Sequence, residues 1–382
     1  MPAGAKKLVL FGAGKIGRSF IGQLFSRSGY EVVFIDIDTR IIDALNEKHS
    51  YKIFICDKNP ETIVINNVRG VHADDNEQVI NEIISTDYLA ISIGKNALKH
   101  IAPLLSRGLL IREEKYPGRM LDIILAENMR NADDFLRDAL LEILPATYPL
   151  EMRVGLIETS IGKMVPSIVN KKTEDNLSVY AEAYNTLIVN KEAFMNPVPA
   201  VSGLDAKDNI KAWVDRKMFI HNFGHASLAY LGYKYHPDLH YLWEVLENKE
   251  IKLFVRDAMR QSADALLLEY PDVFTKDKLY EHIDDLIERF ANRELGDTIF
   301  RVGCDLYRKL APDDRVITPL RSAYNNKLPY NLITEVLRAA LQFKATDADG
   351  KMLPLDLDFH NELKEKGANH ILQKICGFTE SE

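Results

Sequence analysis

The segment "DRKMFIHNFGHASLAYLG", residues 215–232, sets Lys217, His221, Asn222 and His225 among large apolar side chains. On a helix turning about 100° per residue, these four fall within an arc of roughly 140°. An amine, an amide and two imidazoles on one broad face offer a proton acceptor and several hydrogen-bond donors. A lysine partly withdrawn from water has its pKa lowered toward neutrality, so Lys217 fits a general base. The amide of Asn222 fits a donor to an oxygen that is gaining negative charge. A purely structural account also fits: Lys217 snorkels, Asn222 is an isolated polar residue, and the histidines satisfy hydrogen bonds in a core.

A second constellation lies near the start, in "KKLVLFGAGKIGRSFIGQLFSRSGYEVVFIDID", residues 6–38. Lys7 to Phe11 reads as a buried strand, followed by Gly12-Ala13-Gly14-Lys15-Ile16-Gly17 and a helical pattern. A second strand, Val32 to Ile35, ends at Asp36. In this context Gly12 permits the tight turn, Gly14 lets a pyrophosphate approach, and Gly17 allows close packing of helix on sheet. Asp36 is placed to accept hydrogen bonds from ribose hydroxyls and to repel a 2'-phosphate, which favours NAD over NADP. Arg40, four residues on, points the other way, but Asp36 holds the better position.

The elements that must position these groups follow from the pattern. Strands are expected at 87–94, within "RMLDIILAENM", and at 152–158, separated by helices, as in a parallel sheet covered on both faces. Loops after strand C-terminal ends face the ligand crevice, which makes Gly94, Asn96, Asn128 and Glu158 candidates by position. Turn glycine, helix cap or solvated loop are their structural alternatives. Residues 177–194 look like one or two antiparallel strands, and the breaker run "NPVPAVSG" suggests a boundary. The expected class is α/β: a Rossmann-like dinucleotide-binding domain over 1–195, then a mainly α-helical substrate domain over 196–382. Helices are expected at 208–231, 249–268, 278–291, 297–310 and 330–342, with a loop-rich stretch over 311–329 and a surface turn in "DADGKMLPLD".

Composition bounds the function. A chain of 382 residues exceeds what one core usually organises. Its net charge of -8, without a basic block, argues against nucleic acid as a partner. No window approaches a membrane span, and the apolar run at the start is too short for a secretory signal. Cys56, Cys304 and Cys376 match no metal-ligand spacing, so no metal is expected and a reducing cytoplasm fits best.

Taken together, "DRKMFIHNFGHA", "FGAGKIGRSFIG", "DALNEKHSYKI", "AENM", "RVGCDLYRKLAPDDRVITPL" and "NLITEVLRAA" resemble the polyol-specific long-chain mannitol dehydrogenase family, almost from end to end. The resemblance implies NAD as cofactor, a site in the cleft between the domains, and oxidation of a secondary alcohol of an open-chain polyol to the ketose. It assigns Lys217 as general base, Asn222 and Asn128 as oxyanion donors, and His225 as the residue that orients the substrate. The modest length favours the branch that acts on polyol phosphates. D-mannitol 1-phosphate and D-fructose 6-phosphate are the expected pair; another polyol phosphate or a hexuronate is the alternative. Arg301, Arg308, Lys309 and Arg315 lie close enough in sequence to hold the phosphate, unless Asp305, Asp313 and Asp314 simply neutralise them. Cys304 departs from the basic residue that follows "RVG" in related chains. The expected partner is a small polyol phosphate, and the expected quaternary state a monomer or weak homo-oligomer.

Overall fold

The computed structural model describes residues 6–166 and 175–379. The chain divides into two compact units, Met1–Val214 and Asp215–Glu382. The division falls within the helix Ile210–Arg216.

The first unit is built on β1 (Lys7–Phe11), β2 (Glu31–Asp36), β3 (Ser50–Ile55), β4 (Glu61–Asn66), β5 (Val68–His72), β6 (Tyr88–Ile91), β7 (Leu121–Leu125), β8 (Val154–Ile161), β9 (Val179–Ala181), β10 (Leu187–Asn190) and β11 (Leu204–Lys207). Eight of them form one sheet in the order β11-β10-β8-β7-β6-β1-β2-β5, and β4-β3-β9 form a second. All pairs of the large sheet are parallel except β10 with β8. The near-continuous apolar strands are explained by burial on both faces: Leu8, Leu10, Val32 and Phe34 join one apolar cluster, and Val9, Phe11, Val33 and Ile35 join another. Strand order reverses between β6 and β1, where ligands of open α/β sheets bind.

Several expectations are revised here. Of the one or two antiparallel strands expected over 177–194, β10 does join β8 antiparallel, whereas β9 joins β3 in parallel. The run 196–203 connects β10 to β11, two adjacent strands of one sheet. Its start is tied to β7, because the buried Asp122 accepts the N–H groups of Met195 at 2.8 Å and Asn196 at 3.0 Å.

The second unit is helical among its described residues. The long helix Lys249–Glu269 buries Ile251, Val255, Ala258, Met259, Ser262 and Leu266, a stripe of helical period. It packs against the helices Phe223–Tyr235, Lys276–Phe290, Ile317–Asn325 and Asn331–Ala340. Ile317–Asn325 occupies the stretch expected to be loop-rich. Its Pro319 lies in the first turn, where the missing N–H costs no intrahelical bond. Near the C-terminus Pro354–Lys366 and Ala368–Lys374 are also helical, the first beginning on its proline.

The helix expected over 297–310 is broken into Ile299–Gly303 and Leu306–Lys309. Asp305 between them takes a left-handed φ of 76°. Side chains satisfy both ends of the break. The buried carboxylate of Asp356 accepts the N–H groups of Asp305 at 3.0 Å and Leu306 at 2.7 Å. The ammonium of Lys309 donates to the carbonyls of Val302, at 2.6 Å, and Cys304.

Candidate active site

The dinucleotide side of the site is made mainly of backbone. Gly12 has φ +100°, and a Cβ there would lie 2.1 Å from the carbonyl oxygen of Ser92. A Cβ on Gly17 would lie 2.1 Å from the carbonyl oxygen of Gly12, so the loop closes on itself only with hydrogen at both positions. Gly14 is different: nothing lies within 4 Å of a Cβ built there, and it lines an open cavity of about 840 Å³. That space is where a pyrophosphate would approach the helix that begins beyond the loop.

Asp36 closes β2 at the rim of the same cavity. Its Oδ2 accepts the N–H of Ala13 at 2.7 Å and its Oδ1 the N–H of Asp38 at 2.9 Å. Each oxygen retains capacity for a ribose hydroxyl. Arg40 is turned to Asp38, with which it makes two bonds of 3.0 and 2.7 Å, and its side chain is 79% exposed. The acceptor oxygens of Asp36 therefore fit an adenosine ribose with free hydroxyls.

Other candidates from the sequence surround this core. Lys15 is exposed and donates to the carbonyl of Pro166 at 3.1 Å, and Ile16 packs on one apolar cluster of the unit. Gly94 has φ +88° and precedes the helix Lys95–Lys115, on which Asn96 is exposed. Glu127, which sequence reasoning did not single out, positions that loop: its Oε1 accepts the N–H groups of Ile93 at 2.8 Å and Gly94 at 2.9 Å. Glu158 accepts the N–H of Asn131, at 2.7 Å, before the helix Ala132–Leu141, the capping alternative. Asn128 is exposed beyond the end of β7.

In the second unit, Lys217 and Asn222 bound a π-turn, Lys217–Asn222, between the α-helical segments Ile210–Arg216 and Phe223–Tyr235. The N–H of Phe223 reaches back five residues to the carbonyl of Met218. The uniform helical wheel drawn from the sequence therefore fails across this stretch. A wider turn brings residues five apart one above the other, so Lys217 and Asn222 share a face more closely than an α-helix allows. The helix is capped by Asn209, whose Oδ1 accepts the N–H of Ala212 at 3.3 Å. Asp205 and Asp208, the acidic residues just before it, pair instead with Lys207 and Lys191.

Burial lowers the Lys217 pKa to about 8, and the nearby Arg315 guanidinium adds to the effect. The Nδ2 of Asn222 makes a weak contact, 3.9 Å, with the thioether of Met218. Nε2 of His225 lies 2.9 Å from Oδ2 of Asp297, a carboxylate oxygen that accepts its N–H, and the ring stacks on Phe290. Burial pushes the His225 pKa down, against the opposing pull of Asp297. Asp297 stays below its ordinary range: burial works the other way but is outweighed by His225 and Arg301. His221 is buried and held well below its ordinary pKa by burial and by Arg289, so it is neutral.

The four basic candidates separate. Arg301 pairs with Asp297, and Arg315 with Asp314 at 2.7 Å; the charges of both bear on His225. Arg308 is exposed and pairs with Asp305. Lys309 is turned inward onto carbonyls, and burial brings its pKa to about 7. Among the described residues no cluster of three His, Cys, Asp or Glu has the arrangement of a metal site, and no helix is long and apolar enough to cross a membrane.

A sheet of dinucleotide-binding topology followed by a helical unit bearing a buried lysine of lowered pKa is compatible with an oxidoreductase of the two-domain kind. The profile of the mannitol dehydrogenase Rossmann domain matches residues 6–203, and that of the mannitol dehydrogenase C-terminal domain matches residues 209–374. The chain belongs to the mannitol dehydrogenase family. Mannitol-1-phosphate 5-dehydrogenases from two strains of Buchnera aphidicola subsp. Acyrthosiphon pisum, Tuc7 and APS, are each 32% identical to it over 375 residues, 97% of this chain and 94% of theirs. Two solved structures share the fold. The Pseudomonas fluorescens mannitol 2-dehydrogenase ternary complex with NAD and D-mannitol superposes with a TM-score of 0.70 at 14% identity, covering 91% of this chain and 81% of that one. A substrate-free D-sorbitol dehydrogenase gives 0.76 at 16% identity, covering 92% and 86%.

Proposed function

We propose that the protein catalyses the reversible NAD-dependent oxidation of D-mannitol 1-phosphate at C5 to D-fructose 6-phosphate. The observation that carries the chemistry is Lys217, whose pKa of about 8 leaves a useful fraction of free amine near neutral pH. The choice of substrate is supported by likeness to mannitol-1-phosphate 5-dehydrogenases across 97% of the chain.

In this reading Asp36 accepts the adenosine ribose hydroxyls, Gly14 leaves room for the pyrophosphate, and Gly94 and Asn96 border the cofactor. When bound, NAD accepts the hydride that leaves the carbinol carbon. The neutral amine of Lys217 takes the proton of the C5 hydroxyl. Asn222, one π-turn away, donates its amide N–H to the oxygen as charge builds on it, and Asn128 of the first unit is the second donor. His225 hydrogen-bonds a neighbouring hydroxyl. Arg301 and Arg315 attract the phosphate dianion; Arg308 and Lys309 contribute field rather than a free fork of donors.

A second reading, another polyol phosphate or a hexuronate, draws support from the same residues. Each of the four cations already has a carboxylate or carbonyl partner, so an incoming anion must compete with Asp297 and Asp314. Cys304, which lies between Arg301 and Arg308, adds no positive charge to this segment. Rates of NADH formation with D-mannitol 1-phosphate, free D-mannitol, other hexitol phosphates and hexuronates separate the readings. Preference for D-mannitol 1-phosphate over free mannitol by at least about 100-fold in kcat/KM is expected from loss of one charge-assisted anion site. Equal use of the free polyol overturns the phosphate assignment.

A further inference from the structure

Asp297 has no part in the scheme above, although it is a buried carboxylate joined to two of its groups. One oxygen, Oδ2, lies 2.9 Å from Nε2 of His225, and the other is ion-paired with Arg301. Its side chain is only 8% exposed. A charge so far withdrawn from water persists where partners satisfy it, and here both partners belong to the proposed substrate site. The His225 ring has little freedom left. Its face lies on Phe290, with centroids 4.8 Å apart and planes 12° from parallel, and His221 stands edge-on at 6.2 Å.

A carboxylate beside one imidazole nitrogen decides where the proton of the neutral ring resides. With Nε2–H donating to Asp297, Nδ1 keeps its lone pair and becomes an acceptor. Among the described residues, the hydrogen bond that holds the His225 ring is made at Nε2. We infer that Asp297 is a positioning residue: it holds His225 in the Nε2–H form, so that Nδ1 accepts a hydrogen bond from a substrate hydroxyl beside the reacting carbon. The inference rests on the polyol reading for the identity of that hydroxyl, and on geometry alone for the tautomer.

Nitrogen-15 NMR of the histidines tests it, with the His225 signals assigned by their loss in His225→Gln. The wild type is expected to show a protonated Nε2 and a bare Nδ1. Asp297→Asn, which can offer an N–H of its own, is expected to mix or reverse that pattern. It should lower kcat/KM by about 10–100-fold, the usual range for loss of an orienting partner, with cofactor affinity unchanged. Because Asp297 acts on turnover through His225, whereas its pairing with Arg301 bears on phosphate capture, kcat of the double variant should be no lower than that of His225→Gln alone. A wild-type spectrum with Nδ1 protonated overturns the inference even if Asp297→Asn does not fold. So does a folded Asp297→Asn enzyme with unchanged kcat/KM, or additive losses of kcat in the double variant. An enzyme inert toward the whole polyol panel sinks the substrate reading instead, and the tautomer pattern still decides whether Asp297 orders His225.

Discussion

The π-turn Gly17–Gly22 begins and ends on glycine and is buried throughout, whereas the π-turn Lys217–Asn222 begins on an amine and ends on an amide. In the first, the wide turn lies just beyond a loop whose working surface is peptide N–H and empty space. In the second, it brings together the two side chains proposed to carry the chemistry. Binding a common cofactor needs close approach of backbone, for which side chains are obstacles. Moving a proton needs a particular functional group, for which the backbone is only a mount.

The contrast can be broken at several points. The largest effect is expected from Lys217→Ala, which should lower turnover at least about 100-fold while leaving NAD affinity near its original value, as measured by steady-state kinetics and fluorescence titration. Adding rather than removing a side chain should do the damage in the first unit. Gly12→Ala forces a Cβ to 2.1 Å from the Ser92 oxygen at a φ of +100°, and is expected to cost about 1–3 kcal/mol in denaturant unfolding and to weaken NAD markedly. Asp36→Ala should weaken NAD by roughly tenfold, the value of a charge-assisted ribose contact, and raise relative use of NADP. Unchanged cofactor preference in that variant would remove the ribose role of Asp36.

A smaller effect sharpens the comparison through pH. The folded pKa of Lys217, about 8, lies below its ordinary value of 10.5, so the unfolded chain binds more protons between these limits. Stability therefore rises with pH across that window, and the full penalty of burying the amine is present below it. Lys217→Met removes the penalty. A gain of about 2–5 °C in Tm is expected at pH 7, shrinking as the pH approaches 10.5. In the opposite sense, wild-type polyol oxidation should rise with pH and reach half its maximum near pH 8, where the base form of Lys217 accumulates.

Much of the first unit was legible because its strands are apolar runs punctuated by glycine, and both ends of β1 and the close of β2 at Asp36 follow directly. The stretch 49–72 was not read: β4 is largely exposed and mixes charged with apolar residues, so it lacks the signature of a buried strand. In the second unit, period alone located the helices at 249–269 and 276–290. It joined two short helices across Cys304 and Asp305 because the break depends on Asp356 and Lys309, contacts that no local pattern announces. It left Ile317–Asn325 inside a stretch expected to be loop-rich, although the proline of that helix sits in a first turn that tolerates it. The candidate site residues Lys217, Asn222 and His225 stand out in the sequence as polar groups in an apolar helix. Asp297 did not, since an acid four residues before an arginine looks like an ordinary surface pair until its burial is known. The buried strut made by Lys309 was hidden for the same reason.

The parallel pairing of β9 with β3 also constrains how the chain is made. While the ribosome is still working, β3 and β4 stand as a two-stranded ribbon, and the strand that covers its β3 edge emerges on the order of a hundred residues later. Fragments ending before Val179 would keep that edge bare and lack the last strands of the larger sheet, which invites pairing with other chains. Expressed alone, the nucleotide half should stay in solution only when it extends through Lys207.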